Sequence, residues 1–187
     1  KDGIGASYLD VAPSISKLLE GMADAGYAVD SGSIPNGSEL TDLILVQGTN
    51  IGTWAPGELD RMVENGDVAL IPNSTYSEWF EALPEARQQE VISRWDEAPG
   101  EIMVYENESG KFLVIPKIEV GDGVILAPQP TRGWLQDNDA LYHSKDLPPH
   151  HQYIAFYLWL QNEYGADAMV NMGRHGTVEW LPGKQFC

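Results

Sequence analysis

Eight consecutive residues, Tyr153-Ile-Ala-Phe-Tyr-Leu-Trp-Leu160, are apolar on every side of the helix they would form. A helix with no polar face has to be covered by other elements, so the rest of the chain must supply a core around this segment. Pro148 and Pro149 suit a first helical turn, which predicts a helix over 148–164 with His150 and His151 near its start. The positive end of a helix disfavours imidazolium. The pair is therefore expected to be neutral, able to accept a proton or a metal ion.

The apolar period changes along the chain. Ile15, Leu18, Leu19, Met22 and Ala25 fall at helical spacing, with Pro13 near the start and Gly26 at the stop. Tyr27-Ala-Val29 then reads as a strand, giving half of a βαβ unit. Gly3, Gly5 and Ser7 precede the helix and could either cradle a phosphate or form a plain glycine turn. Residues 35–99 read as mostly helical. Ser38 can cap a helix carrying Leu40, Leu43 and Ile44, and Pro56 opens one with Leu59, Met62 and Val63, closed near Gly66. Two more cover 74–80 and 84–95, with Tyr76, Trp79, Phe80, Val91, Ile92 and Trp95 as core faces. From 100 to 131 short strands follow, Ile102-Met-Val-Tyr105, Phe112-Leu-Val-Ile115 and Val124-Ile-Leu-Ala127, separated by turn residues. The fold class expected is α/β in two lobes: a helix-rich N-terminal α/β lobe (1–99), and a strand-rich lobe (100–187) carrying the buried helix and a following loop.

A formal charge of −17 argues against nucleic acid or an anionic membrane as the main partner. No apolar run reaches the roughly 18 residues of a spanning helix, and no signal-peptide pattern is visible. The lone cysteine, Cys187, excludes a disulfide framework and fits a reducing, cytoplasmic setting. The chain starts in a loop and stops directly after its richest motif, so it is expected to be an internal piece of a longer protein.

That motif follows Ala168 to Met172, a short apolar run between Gly165 and Gly173 that is expected to be a buried strand. It opens into a glycine-punctuated loop with Arg174, His175, Thr177 and Glu179. Open α/β sheets bind ligands just beyond strand ends of this kind. His175 and Glu179 are the close His–carboxylate pair of the loop, and either could move a proton or hold a divalent metal. The short connection from the buried helix implies antiparallel neighbours. It should bring the helix start to the same sheet edge as the loop, assembling His151, His175 and Glu179 with Arg132 nearby. Arg132 could hold a carboxylate or phosphate bidentately. A zinc hydrolase built on His150, His151 and His175 is an alternative, against which stands the absence of an HExxH motif.

Several of these pieces resemble one family. Gly-Arg-His-Gly-Thr-Val-Glu-Trp-Leu-Pro-Gly-Lys-Gln (173–185) is similar to the signature shared by the large subunits of cobaltochelatase (CobN) and magnesium chelatase. So are Gly5-Ala-Ser-Tyr-Leu-Asp10 with Ala25-Gly-Tyr27, Leu83-Pro84 with Trp95 and Pro99-Gly100, Gln129-Pro-Thr-Arg-Gly-Trp134, and the stretch 141–160. The resemblance implies insertion of a divalent metal into a tetrapyrrole, a corrin precursor such as hydrogenobyrinic acid a,c-diamide. The macrocycle would be held by residues including Gln129, Arg132, Arg174 and Thr177, with His151, His175 and Glu179 as proton acceptors or metal ligands. Trp180-Leu181 resembles the cobalt branch, because the magnesium branch tends to Phe-Met there; this favours Co2+. It further implies AAA-type partner subunits that use ATP and Mg2+, since this chain has no GxxxxGK[ST] loop. A tetrapyrrole- or metal-binding module without turnover of its own is the other reading.

Overall fold

The computed structural model describes residues 5–6, 9–47, 49–51, 55, 57–65, 68–132 and 147–173. Helices and small sheets are mixed, and the chain divides into two compact units that do not follow chain order. One takes in the described residues up to Thr49, Pro116–Pro128 and the segment from Val170. The other takes in Asn50–Ile115 and Gln129–Met169.

In the first unit, strands β1 (Gly5–Ala6) and β2 (Leu9–Asp10) pair antiparallel ahead of helix α1 (Val11–Asp24). Ala12, Ile15, Ser16 and Leu19 are the buried positions of α1, one helical stripe. The expected Leu18 is 38 % exposed. The small Ser16 takes the inward place because its hydroxyl donates to the Ala12 and Pro35 carbonyls at 3.1 and 2.8 Å. Helix α2 (Gly37–Gln47) lies against α1, and a Cβ on Gly37 would come within 2.5 Å of Pro13 Cγ. The cap of α2 is Asn36 rather than Ser38. Asn36 Oδ1 accepts from the Ser38 and Glu39 amides, and the Glu39 carboxylate accepts from the Asn36 amide. This is a reciprocal capping box.

Tyr27–Val29 is not a strand. Its backbone makes a tight turn, Val29 N–H donating to the Tyr27 carbonyl at 2.7 Å, and then a single bond from the Asp122 amide to the Ala28 carbonyl at 2.9 Å. One bond is not a ladder. Instead, Val29 is buried with Ala12, Ile15, Leu19 and Leu40, beside Val120, Val124, Leu126 and Met172. Those residues come partly from the antiparallel hairpin of β6 (Ile118–Gly121) and β7 (Val124–Leu126).

The second unit holds α3 (Glu58–Glu64), β3 (Val68–Pro72), α4 (Asn73–Glu81), α5 (Glu85–Trp95), β4 (Val104–Asn107), β5 (Gly110–Pro116, whose last residue belongs to the first unit) and α6 (His151–Asn162). The three-stranded order is β3-β5-β4, with β4 and β5 antiparallel from Val104 opposite Leu113 to Asn107 opposite Gly110. As the central strand, β5 is covered on both faces: Leu113, Val114 and Ile115 have no exposed surface. Strand β3 lies inside the region expected to be mostly helical. Its five residues, Val-Ala-Leu-Ile-Pro, are too few for a helical period to register, and β5 supplies the pairing. The expected strand at 168–172 is absent: Met169 and Val170 are 56 % and 66 % exposed, and no ladder runs through them. An apolar run becomes a strand only where another edge pairs with it, and none does so among the described residues.

Candidate functional site

The buried helix is α6, and its start carries the densest buried polar cluster among the described residues. His150, His151 and Gln152 are 1–2 % exposed, and Arg132 is 3 % exposed. Each makes a specific bond, as buried polar groups must.

His150 is the N-cap of α6: its Nδ1 accepts from the Tyr153 amide at 3.2 Å. An accepting Nδ1 puts the ring proton on Nε2. The Thr131 backbone carbonyl favours the charged ring but not at hydrogen-bond geometry, and Nε2 ends buried without a partner among the described residues. Trp95 and Tyr153 present edge-on rings at 5.8 and 6.3 Å. Burial pushes the His150 pKa from 6.5 down to about 4. The pair is held neutral, as expected from its place at a helix start, but loss of hydration rather than the helix dipole is the main cause.

His151 is bonded at both ring nitrogens. Nε2 lies 2.9 Å from the Asp96 carbonyl, and Nδ1 lies 2.8 Å from the Tyr76 hydroxyl. A carbonyl only accepts, so Nε2 carries the proton and Nδ1 accepts from the phenol. Burial lowers the His151 pKa and raises that of Tyr76, keeping the imidazole neutral and the phenol a donor. Ligation of a metal by His151 would require one of these bonds to break.

Gln152 begins a run of amides. Its Nε2 donates to Asn50 Oδ1 at 3.2 Å and approaches the Val114 carbonyl at 3.4 Å. Asn50 Nδ2 donates to the Gln129 carbonyl at 3.0 Å, and Gln129 Nε2 donates to the Tyr157 hydroxyl at 2.7 Å. Arg132 donates to the Leu147 carbonyl at 3.1 Å, and Trp95 Nε1 donates to the Pro148 carbonyl at 2.8 Å. Burial lowers the Arg132 pKa. Both edges of the α6 start, 129–132 and 147–150, are thus tied to the same unit.

Of the residues singled out from the sequence, His151, Gln129 and Arg132 meet around this helix start. Arg174, His175, Thr177 and Glu179 lie outside the described residues. Among the described residues no group of three or more His, Cys, Asp or Glu side chains is placed to hold a metal ion. Three contributors escape the sequence reading. The spacing of Tyr76 marks it only as core, although a buried phenol signals a polar partner. Asn50 and the Asp96 carbonyl leave no sequence signal.

The family model described as CobN/Magnesium Chelatase matches residues 1–187. The chain is 35 % identical over 187 residues to the aerobic cobaltochelatase CobN protein of Sinorhizobium sp, covering 100 % of this chain and 13 % of that protein. It is 30 % identical over 180 residues to the H subunit of magnesium chelatase from Chlorobaculum parvum, covering 96 % of this chain and 13 % of that protein. Among solved structures, the catalytic subunit of cobaltochelatase from Mycobacterium tuberculosis superimposes with a TM-score of 0.77 at 31 % identity, over 96 % of this chain and 15 % of that one. The chain therefore spans only 13–15 % of the length of these relatives.

Proposed function

The chain belongs to the CobN/Magnesium Chelatase family, and we propose that it forms part of a macrocycle-binding large subunit that inserts Co2+ into a corrin precursor, hydrogenobyrinic acid a,c-diamide. The observation that carries this reading is the likeness in both sequence and fold, over nearly the whole chain, to the catalytic subunit of cobaltochelatase. The pair Trp180-Leu181 supports cobalt over magnesium.

Metal insertion sets two chemical demands. Two macrocycle N–H protons must leave, which calls for a base. The incoming ion must exchange water for other ligands, and imidazole and carboxylate suit Co2+. In this reading His175 and Glu179 accept the protons or pass on the metal, while Arg174 and Thr177 hold the macrocycle edge. His151 supports them from the start of α6, and Gln129 and Arg132 shape the adjoining wall. ATP is used with Mg2+ by AAA-type partner subunits in the cytoplasm. No helix among the described residues is long and apolar enough to cross a membrane.

The test is Co2+ insertion into hydrogenobyrinic acid a,c-diamide, followed by absorbance, with the full-length parent and its ATPase partners. Loss of insertion in Glu179→Ala and His175→Ala, with macrocycle binding retained, is expected. The 30 % identity to a magnesium-chelatase protein favours a second reading, and insertion of Mg2+ into a protoporphyrin in place of Co2+ would establish it. Macrocycle binding with neither insertion would leave a binding module.

A further inference from the structure

The sequence marks His151 as a proton acceptor or metal ligand, yet both of its nitrogens are committed, to the Tyr76 hydroxyl at 2.8 Å and the Asp96 carbonyl at 2.9 Å. The carbon edge of the ring is equally confined. Phe80 packs on it at 4.9 Å and Tyr76 at 5.6 Å between centroids. A Cβ on Gly100 would sit 3.0 Å from His151 Cδ2. The ring therefore has little room to turn and present a lone pair elsewhere.

Asp96 is itself constrained. It has φ 63° and ψ −173°, a region in which residues other than glycine are strained and which persists only where the surroundings enforce it. In that conformation its carbonyl is the acceptor for His151 Nε2. The strained residue, the C-cap of α5, is thus one jaw holding the ring, and Tyr76 on α4 is the other.

We propose that Tyr76 is a positioning residue: together with the Asp96 carbonyl it clamps His151 in its Nε2–H tautomer, and the clamp fixes the α6 start from which the 129–132 wall of the macrocycle site is hung. The coupling is direct in the chain. Gln152, next to His151, bonds to Asn50, which holds the Gln129 carbonyl. On the other side of the helix start, Arg132 bonds to the Leu147 carbonyl. Releasing His151 loosens each of these tethers, while leaving the loop at 174–180 chemically unaltered. The part concerning the macrocycle rests on the metallochelatase reading above; the clamp itself does not.

The test uses the full-length parent with Tyr76→Phe, His151→Gln and the double variant. Tyr76→Phe deletes only the phenol oxygen. His151→Gln can offer a donor toward Asp96 or an acceptor toward Tyr76, but its flexible amide does not hold both in the fixed geometry of the ring. Three quantities are read: hydrogen exchange of peptides covering α6, the Kd for hydrogenobyrinic acid a,c-diamide from tryptophan fluorescence, and the KM for Co2+. Each single variant is expected to speed α6 exchange and to weaken macrocycle binding about tenfold, the scale of one buried hydrogen bond lost. The double variant should be no worse than the poorer single, and the Co2+ KM should stay within about twofold, because no metal ligand has been touched. A Co2+ KM raised by His151→Gln and untouched by Tyr76→Phe would overturn the proposal in favour of direct ligation. Unchanged α6 exchange in both singles would overturn the clamp. If the unsubstituted parent binds no macrocycle, the metallochelatase reading and the wall proposed with it both fail, and α6 exchange alone decides the clamp.

Discussion

Acidification should loosen α6 through His150. Its ring is neutral and buried in the folded chain, with its pKa pushed from 6.5 to about 4 by loss of hydration; the neighbouring His151 pushes the same way and the Thr131 carbonyl opposes. Well above pH 6.5 the ring is neutral whether α6 is closed or open, so it contributes no pH dependence there. Between 6.5 and about 4 the opened form binds a proton that the closed form refuses, and stability falls as pH falls. The full difference corresponds to about 3 kcal/mol, reached below about pH 4. From about pH 7.5 to about pH 5, the same two affinities give a loss of about 2 kcal/mol in the free energy of opening. His151, also lowered by burial, adds in the same direction. The assay is hydrogen exchange of α6 peptides in the full-length protein at the two pH values, corrected for the intrinsic rates. His150→Asn is the control, because its amide oxygen can still cap α6 and does not titrate. The variant should lose most of the pH dependence while α6 remains protected at pH 7.5. Equal opening free energies for the unsubstituted protein at both pH values would refute the reasoning, and so would an undiminished fall in the variant.

Three further outcomes follow from close contacts. Gly121→Ala places a Cβ 2.4 Å from the Ala28 carbonyl oxygen, so backbone must move; exchange at Val29 and in the β6–β7 hairpin should rise, with about 1–3 kcal/mol lost. Asp96→Gly removes strain at φ 63° while keeping the carbonyl, and should slow α6 exchange by the equivalent of about 1 kcal/mol; faster exchange would show that the side chain, not the backbone, matters. Asn36→Ala deletes the acceptor for two α2 amides and should cost about 1 kcal/mol, seen as faster exchange in the first turn of α2 and not in α6.

The apolar run 153–160 by itself pointed to a largely buried helix beginning near His150 and His151, because apolar side chains on every face favour cover; Tyr153, Ala155, Phe156 and Trp159 are buried, and Ile154, Tyr157, Leu158 and Leu160 are half-buried. Periodicity and punctuation likewise determined α1, α3, α4 and α5 and the β4–β5 turn, since these signals are local and repeat over enough residues to outweigh chance. Family membership was legible for a related reason: the signature from 173 to 185 is contiguous. Other features depended on partners distant in the chain. Val68–Pro72 became a strand because β5 lay beside it, whereas Ala168 to Met172, apolar but for Asn171, found no edge among the described residues. Tyr27–Val29 was drawn to a hairpin some ninety residues on. The state of the two histidines was decided in the same way. Their place at a helix start could be read from the sequence, but whether a ring nitrogen is free depends on what stands opposite it. Tyr76 and Asp96, 75 and 55 residues away, fill both nitrogens of His151. A hydrogen bond is set by distance and angle in space, and chain order alone carries neither.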